Sequence, residues 1–198
     1  RITMLSSFTQ AEVLTHIPRS MRETSIILTA LICISQTCST AIRTDGKIWD
    51  MRIFVDTNIV VELLENRKES DNIDRIFEAI ETRQWEKVLS VGSFYTLTFL
   101  IERIIRRQGI GNPACVEKLR EILHQLLESF EIVDLDKETL KKGIGNKDFT
   151  DLEDSYQYVA ALSANSDVLL TINTSDFRYA SQSRISIDSP REFIERFL

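Results

Sequence analysis

The sequence predicts an α/β domain with a mainly parallel central sheet and helices on both faces. Three observations carry that expectation. From Met51 onward, short apolar runs alternate with longer segments of helical spacing. The first of those runs ends in an acid, as a buried strand does when its carboxyl end meets a site. No repeat or linker interrupts residues 51–198, so they read as one domain.

Arg52-Ile53-Phe54-Val55-Asp56 is the first strand, and Asn58–Glu65 and Ile73–Arg83 have helical spacing. Val88–Val91 reads as a second strand. Ser93 starts a long helix that places Phe94, Leu97, Ile101, Ile104 and Ile105 on one face, until Gly109–Pro113 breaks it. Cys115–Leu127 is the next helix, Glu131–Asp134 a strand and Lys137–Lys142 a short helix. Thr150–Ala164 is helical, Val168–Ile172 is a strand and Ile185–Ile187 a last short one. Ser189-Pro190-Arg191-Glu192 is a capping box with Pro at the first helical position, which starts a terminal helix running to Phe197.

The 198 residues suit one ordinary α/β domain with an appendage. Hydrophobic residues at 43%, charged residues at 27% and a mean hydropathy of -0.10 describe a globular composition without a membrane span. Three cysteines (Cys33, Cys38, Cys115) and two histidines argue against a disulfide framework and a His/Cys metal site, so any metal should have oxygen ligands. Cys115 has no neighbouring His to activate it, and His124 among Leu123, Leu126 and Leu127 reads as a tolerated helix residue.

Residues 1–50 read differently. They carry five basic and four acidic groups, leaving 19 basic against 26 acidic over residues 51–198. Ile26–Ile34, with Met21 and Arg22 before it and small residues after it, has the outline of a secretory signal peptide. Glu23 cancels Arg22, and Cys38 and Gln36 interrupt the small-residue end, so the preferred expectation is an extension of uncertain status ahead of a cytoplasmic domain. An acidic domain does not hold nucleic acid by bulk charge; it needs a local basic patch or a cation on clustered carboxylates.

Such a cluster is available at the strand ends. Asp56, Thr57 and Asn58 end the first strand, and Asn173, Thr174, Ser175 and Asp176 follow Val168–Ile172. Asp151, Glu153 and Asp154 open the helix leading into that strand. Unpaired carboxylates repel unless a cation joins them, and Mg²⁺ or Mn²⁺ is the natural partner of oxygen ligands. Each residue also has a local reading. Asp56-Thr57-Asn58 suits a helix N-cap, Thr150–Glu153 is a capping box, and Asp151 and Asp154 suit a helix dipole. Arg103, Arg106 and Arg107 are the one dense basic cluster, either a solvated helix face or an RNA-backbone contact.

MRIFVDTNIVVELL, SVGSFYTLTFLIER, DFTDLEDSYQYVAAL and LLTINTSDF, in that order and spacing, resemble the PIN domain, in its bacterial branch related to VapC-type toxin ribonucleases. The resemblance covers about residues 51–197 and implies a three-layer α/β/α fold. It also implies Mg²⁺- or Mn²⁺-dependent cleavage of RNA by a metal-activated water, and often a cognate antitoxin. Carried over residue by residue, Asp56, Asp154 and Asp176 match the family's acids. Asn58, Asp151, Glu153 and Asn173 stand beside them as supporting residues. Thr96 occupies a position where members carry an acid or Asn, and Glu102 lies about 240° further around the helix.

The leading expectation is therefore a metal-dependent endoribonuclease acting on an RNA substrate, with an antitoxin protein and a homodimer through the Phe94–Ile105 helix as further partners. Thr96 favours the alternative of a degenerate PIN domain that binds RNA or a protein without cutting. A haloacid-dehalogenase-like phosphatase also places an Asp at the end of its first strand, but it requires a second Asp where Asn58 stands.

Overall fold

The structure is a computed structural model that describes residues 51–180 and 184–198. The extension read at residues 1–50 lies outside the described residues. The elements run β1 (Arg52–Val55), α1 (Thr57–Leu64), α2 (Ser70–Arg83), β2 (Glu86–Ser90), α3 (Val91–Arg107) and α4 (Ala114–Ser129). There follow β3 (Glu131–Val133), α5 (Lys137–Gly145), α6 (Leu152–Ser163), β4 (Val168–Leu170), a 3₁₀ turn (Thr174–Phe177), β5 (Ser186–Asp188) and α7 (Pro190–Phe197).

The five strands form one sheet in the order β3-β2-β1-β4-β5, and every neighbouring pair is parallel. Successive side chains of a strand face opposite sides, and the core divides accordingly. Ile53, Val55, Leu89, Val168 and Leu170 join one apolar cluster with α1 to α4 and Phe193 of α7. Phe54, Val88, Leu169 and Ile187 join another with Tyr158, Val159, Ala160 and Ala161 of α6. Both faces are covered, which makes the three-layer α/β/α fold that the sequence predicts.

The chain steps outward from β1 to β2 and β3, then crosses to β4 on the other side of β1. The reversal opens a crevice beyond the carboxyl ends of β1 and β4, where ligands of open α/β sheets bind. At the opposite edge, Arg52 ties the sheet down. Its guanidinium pairs with Glu86 (3.0 Å) and Glu131 (2.7 Å), and its amide donates to Asp167 (2.8 Å).

Element ends differ from the sequence reading in instructive ways. α3 begins at Val91, directly off β2, because Ser90 caps it by accepting from the Ser93 amide at 2.9 Å. The helix over Thr150–Ala164 starts at Leu152, and its cap is Asp151 rather than the Thr150 of the expected capping box. Asp151 accepts from the Glu153 amide at 2.7 Å, so Glu153 has no reciprocal capping role. The box at Ser189 and Glu192 forms as expected.

α5 and α6 meet closely at Gly143, whose carbonyl accepts from the buried Ser155 hydroxyl (2.8 Å). A Cβ there would stand 2.5 Å from Tyr156 Cδ1. Gly143→Ala is therefore expected to cost about 1–3 kcal/mol through overpacking. Chemical denaturation should also show that G143A/Y156A loses less than the sum of its single changes.

Candidate functional site

Asp56 closes β1 and opens α1. Its amide continues the β1–β4 pairing to Leu170 O (3.0 Å), and its carboxylate caps α1. The side chain is buried, at 5% exposure. Oδ2 accepts from Asn58 Nδ2 (2.7 Å) and from Thr171 Oγ1 (2.7 Å), whereas Oδ1 has a long 3.5 Å contact with the Asn58 amide, and the Thr57 amide adds a weak contribution to the carboxylate. One oxygen is locked and the other is nearly unengaged.

Asn58 spends its whole amide on this arrangement. Nδ2 also donates to Thr171 Oγ1 (3.0 Å), and Oδ1 accepts from the Ile172 amide (3.1 Å). The Thr171 hydroxyl in turn accepts from the Asn173 amide (3.1 Å). Asp56, Asn58 and Thr171 thus clamp the ends of β1 and β4 together. Burial pushes the Asp56 carboxyl above its ordinary range despite these hydrogen bonds, and the charge of Glu153 pushes the same way.

Beneath the clamp runs a second, fully buried set of polar groups. Gln157 Nε2 of α6 donates to Thr57 Oγ1 (3.0 Å) and Ser93 Oγ (2.8 Å), and Ser93 Oγ lies 2.9 Å from Ser90 Oγ. It joins the starts of α1 and α3 to the body of α6 under the crevice. Satisfied networks of this kind rigidify what stands on them.

Asp154 sits half-buried in the first turn of α6. Its pKa is pushed up to about 6, first by burial and then by the charges of Asp151, Asp56, Asp176 and Glu153. The five carboxylates share one electrostatic field, and none pairs with a Lys or Arg among the described residues. At the other edge of the sheet, Arg52 neutralises Glu86 and Glu131.

The structure therefore brings Asp56, Asn58, Asp151, Glu153, Asp154 and Asp176 into one neighbourhood. Asp151, Glu153, Asn173 and Asp176 are exposed at its rim. Thr96 is half-buried on α3, and its hydroxyl makes no hydrogen bond among the described residues. Thr171, Ser90, Ser93, Thr57 and Gln157 carry the support, and the sequence reading did not assign that role to them. His124 is exposed on α4, and Cys115 is buried in the apolar cluster of the α1–α4 layer.

Oxygen donors with an unspent anionic charge fit a hard divalent cation. Among the described residues no three Asp, Glu, His or Cys side chains stand close enough to cage an ion. Mg²⁺ does not require such a cage, since it keeps several waters and commonly takes one or two carboxylates. The nearly unengaged Oδ1 of Asp56 and the Asp154 carboxylate are suited to that role.

Of the basic cluster, Arg106 pairs with Glu102 (2.7 Å) and Arg107 with Glu65 (3.0 Å), as a solvated helix face would have it. Arg103 instead lies 5.6 Å over the Phe99 ring. The apolar residues of α3 divide: Leu97, Ile101, Ile104 and Ile105 are buried, whereas Tyr95 and Phe99 are exposed. Among the described residues no helix is long and apolar enough to cross a membrane.

Comparison with known proteins agrees with this architecture. A family model described as a PIN domain matches residues 52–175. Ribonuclease VapC1 of Aquifex aeolicus (strain VF5) is 22% identical over 151 residues, covering 74% of this chain and 95% of that protein. The crystal structure of VapBC2 from Rickettsia felis, bound to a DNA fragment from their promoter, contains a chain that superposes with a TM-score of 0.53 at 15% identity. The superposition covers 70% of this chain and 98% of that one.

The raised Asp154 pKa has a consequence for stability. Between about pH 4 and pH 6 the folded protein holds a proton that the unfolded chain releases, so stability falls as pH rises through that window. Asp154→Asn removes the penalty. With solvent screening discounted, it should stabilise the metal-free protein at neutral pH by on the order of 1 kcal/mol, about 2–4 °C in Tm. The gain should vanish below about pH 4, where both forms are neutral; melting curves at the two pH values check this.

Proposed function

Because this chain belongs to the PIN domain family, we propose that it is a metal-dependent endoribonuclease, hydrolysing RNA phosphodiester bonds, and the toxin of a toxin-antitoxin pair. The observation that supports this most is the buried Asp56 carboxylate. It is held by Asn58 and Thr171 with one oxygen nearly unengaged, in the field of Asp154 and three further acids.

In this reading Asp56, Asp154 and Asp176 hold Mg²⁺ or Mn²⁺, with Asp151, Glu153, Asn173 and Thr96 supporting waters or ligands. When bound, a divalent ion there lowers the pKa of a water and polarises the phosphodiester for attack. The protein's own contribution is positional. Asn58 and Thr171 fix the angle of Asp56, and the Gln157 network fixes the starts of α1 and α3 on either side of it. No side chain here is placed as a covalent nucleophile, so one hydrolytic step suffices. An antitoxin is an extension to this chain of what the VapBC2 complex contains, and a homodimer through α3 would use the exposed Tyr95 and Phe99.

Thr96 keeps a second reading in play. It brings no charge at the α3 position where the family carries an acid or Asn, as a PIN domain that binds without cutting would have it.

RNA cleavage by the full chain should require Mg²⁺ or Mn²⁺ and stop with chelator. Asp56→Asn should lower it at least about 100-fold, the scale of losing a group that acts on the transition state, with the circular dichroism spectrum unchanged. Mn²⁺ should raise the Tm of the wild type and not that of Asp56→Asn. Cleavage that survives in the mutant sinks the nuclease reading; neither cleavage nor a Mn²⁺ shift in the wild type favours the binder.

A further inference from the structure

The geometry points to Arg178 and Tyr179 as a substrate subsite that takes one nucleotide of single-stranded RNA beside the acidic crevice. Tyr179 would stack its base and Arg178 would pair its phosphate. The inference rests on the nuclease reading and adds to it the group that positions a polyanion at a site made of carboxylates.

The segment after β4 is wound with three residues per turn. Asp176 N donates to Asn173 O (3.0 Å), Arg178 N to Ser175 O (3.4 Å) and Ala180 N to Phe177 O (2.9 Å). In that winding, residues three apart eclipse. Phe177 and Ala180 form the inward row, at 0% and 7% exposure. Asn173, Asp176 and Tyr179 form an outward row, all exposed, with Ser175 and Arg178 as the row beside it. Tyr179 stands two residues past the end of the 3₁₀ turn that holds Asp176 and, like Asp176, is exposed, on a segment whose Phe177 and Ala180 are buried.

Arg178 is the basic residue placed nearest in this winding to Asp176, yet the two form no ion pair. The guanidinium lies instead 4.8 Å over the Tyr179 ring, and that ring is 65% exposed. Of the four arginines stacked on rings among the described residues, two are otherwise engaged. Arg83 donates to Phe197 O, and Arg196 pairs with Asp188 (3.0 Å). Among the described residues only Arg178 and Arg103 stack on a mostly exposed ring without a carboxylate partner. Arg103 stands on the outer face of α3, whereas Arg178 adjoins an acid that contributes to the field at Asp154.

The chemistry suits an unpaired nucleotide. A tyrosine face stacks any base, and an arginine over the ring with no carboxylate partner keeps its N–H groups for a phosphate. Duplex RNA, with its bases already stacked, offers the ring nothing to hold.

The test is fluorescence polarisation of a short labelled oligouridylate with the full chain, in EDTA and again with Mg²⁺ in the Asp56→Asn background, so that no cutting intervenes. Tyr179→Ala should weaken binding about tenfold and Tyr179→Phe should retain wild-type affinity, since the ring face and not the hydroxyl makes the contact. Arg178→Ala should weaken binding and reduce the slope of log K against log salt by about 0.7, the loss of one phosphate contact. Leu127→Ala, exposed on α4, should bind as the wild type. Wild-type affinity in both Tyr179→Ala and Arg178→Ala overturns the subsite and leaves metal-dependent cleavage standing. Absence of binding and of cleavage in the wild type overturns both readings together.

Discussion

A carboxylate at the end of the central strand, buried to 5% exposure and paired with no cation, is the constraint on which the upper edge of this fold depends. Burial raises the cost of its charge, and Asn58 and Thr171 offset that cost with two hydrogen bonds to the same oxygen. Those bonds need β1 and β4 to be neighbours, which is what the crossover of the chain provides. Thr171 comes from a segment 115 residues away in sequence. The clamp and the sheet order are therefore one fact seen at two scales. A slip in the β1–β4 register would turn Thr171 to the other face and leave Asp56 without its partner.

Much of this was legible in the sequence. The run Arg52–Asp56 announced a buried strand ending in an acid, and the alternation after it announced the sheet. Asp154 was visible because Tyr158 and Ala161 share its helix face and imply burial. What could not be read was the support. Ser90, Ser93, Thr57 and Gln157 are small or amide side chains without distinctive spacing, and Gln157 lies 100 residues from Thr57. Their role exists only once the fold has converged them. The cap of α6 falls on Asp151 and not on Thr150 for a more local reason. Thr150 and Asp151 are adjacent residues, each fit to cap a helix, and the pattern Thr-x-x-Glu names one while the backbone uses the other.

Charge is distributed with the same economy. Each of α1, α3 and α6 begins at the crevice edge or in the network beneath it, so three positive helix ends lie near the acids. They soften the repulsion without neutralising it. The lysines and arginines that would have neutralised it are elsewhere, as Arg52 is at the opposite edge. A site left anionic in this way favours a cation, and repels a polyanion unless a cation or a local basic group intervenes.

The acids at the crevice also serve the local fold. Asp56 caps α1 and Asp151 caps α6; the Asp151 carboxylate is set by the Glu153 amide, and that of Asp56 by the side chains of Asn58 and Thr171. This double use limits how the site can be probed. Alanine at Asp56 would remove a helix cap, at about 1 kcal/mol, together with the charge, and any loss of activity would be shared with a loss of structure. Asparagine keeps one oxygen, which serves Thr171 and Asn58 at the Oδ2 position, and it gives up only the long 3.5 Å contact of Oδ1 with the Asn58 amide, so it removes the charge and one weak cap contact. The same logic applies at Thr171, where serine keeps the hydroxyl and valine keeps the shape. A carboxylate set by its cap is positioned before any ligand arrives, and whatever binds there meets an oxygen already aimed.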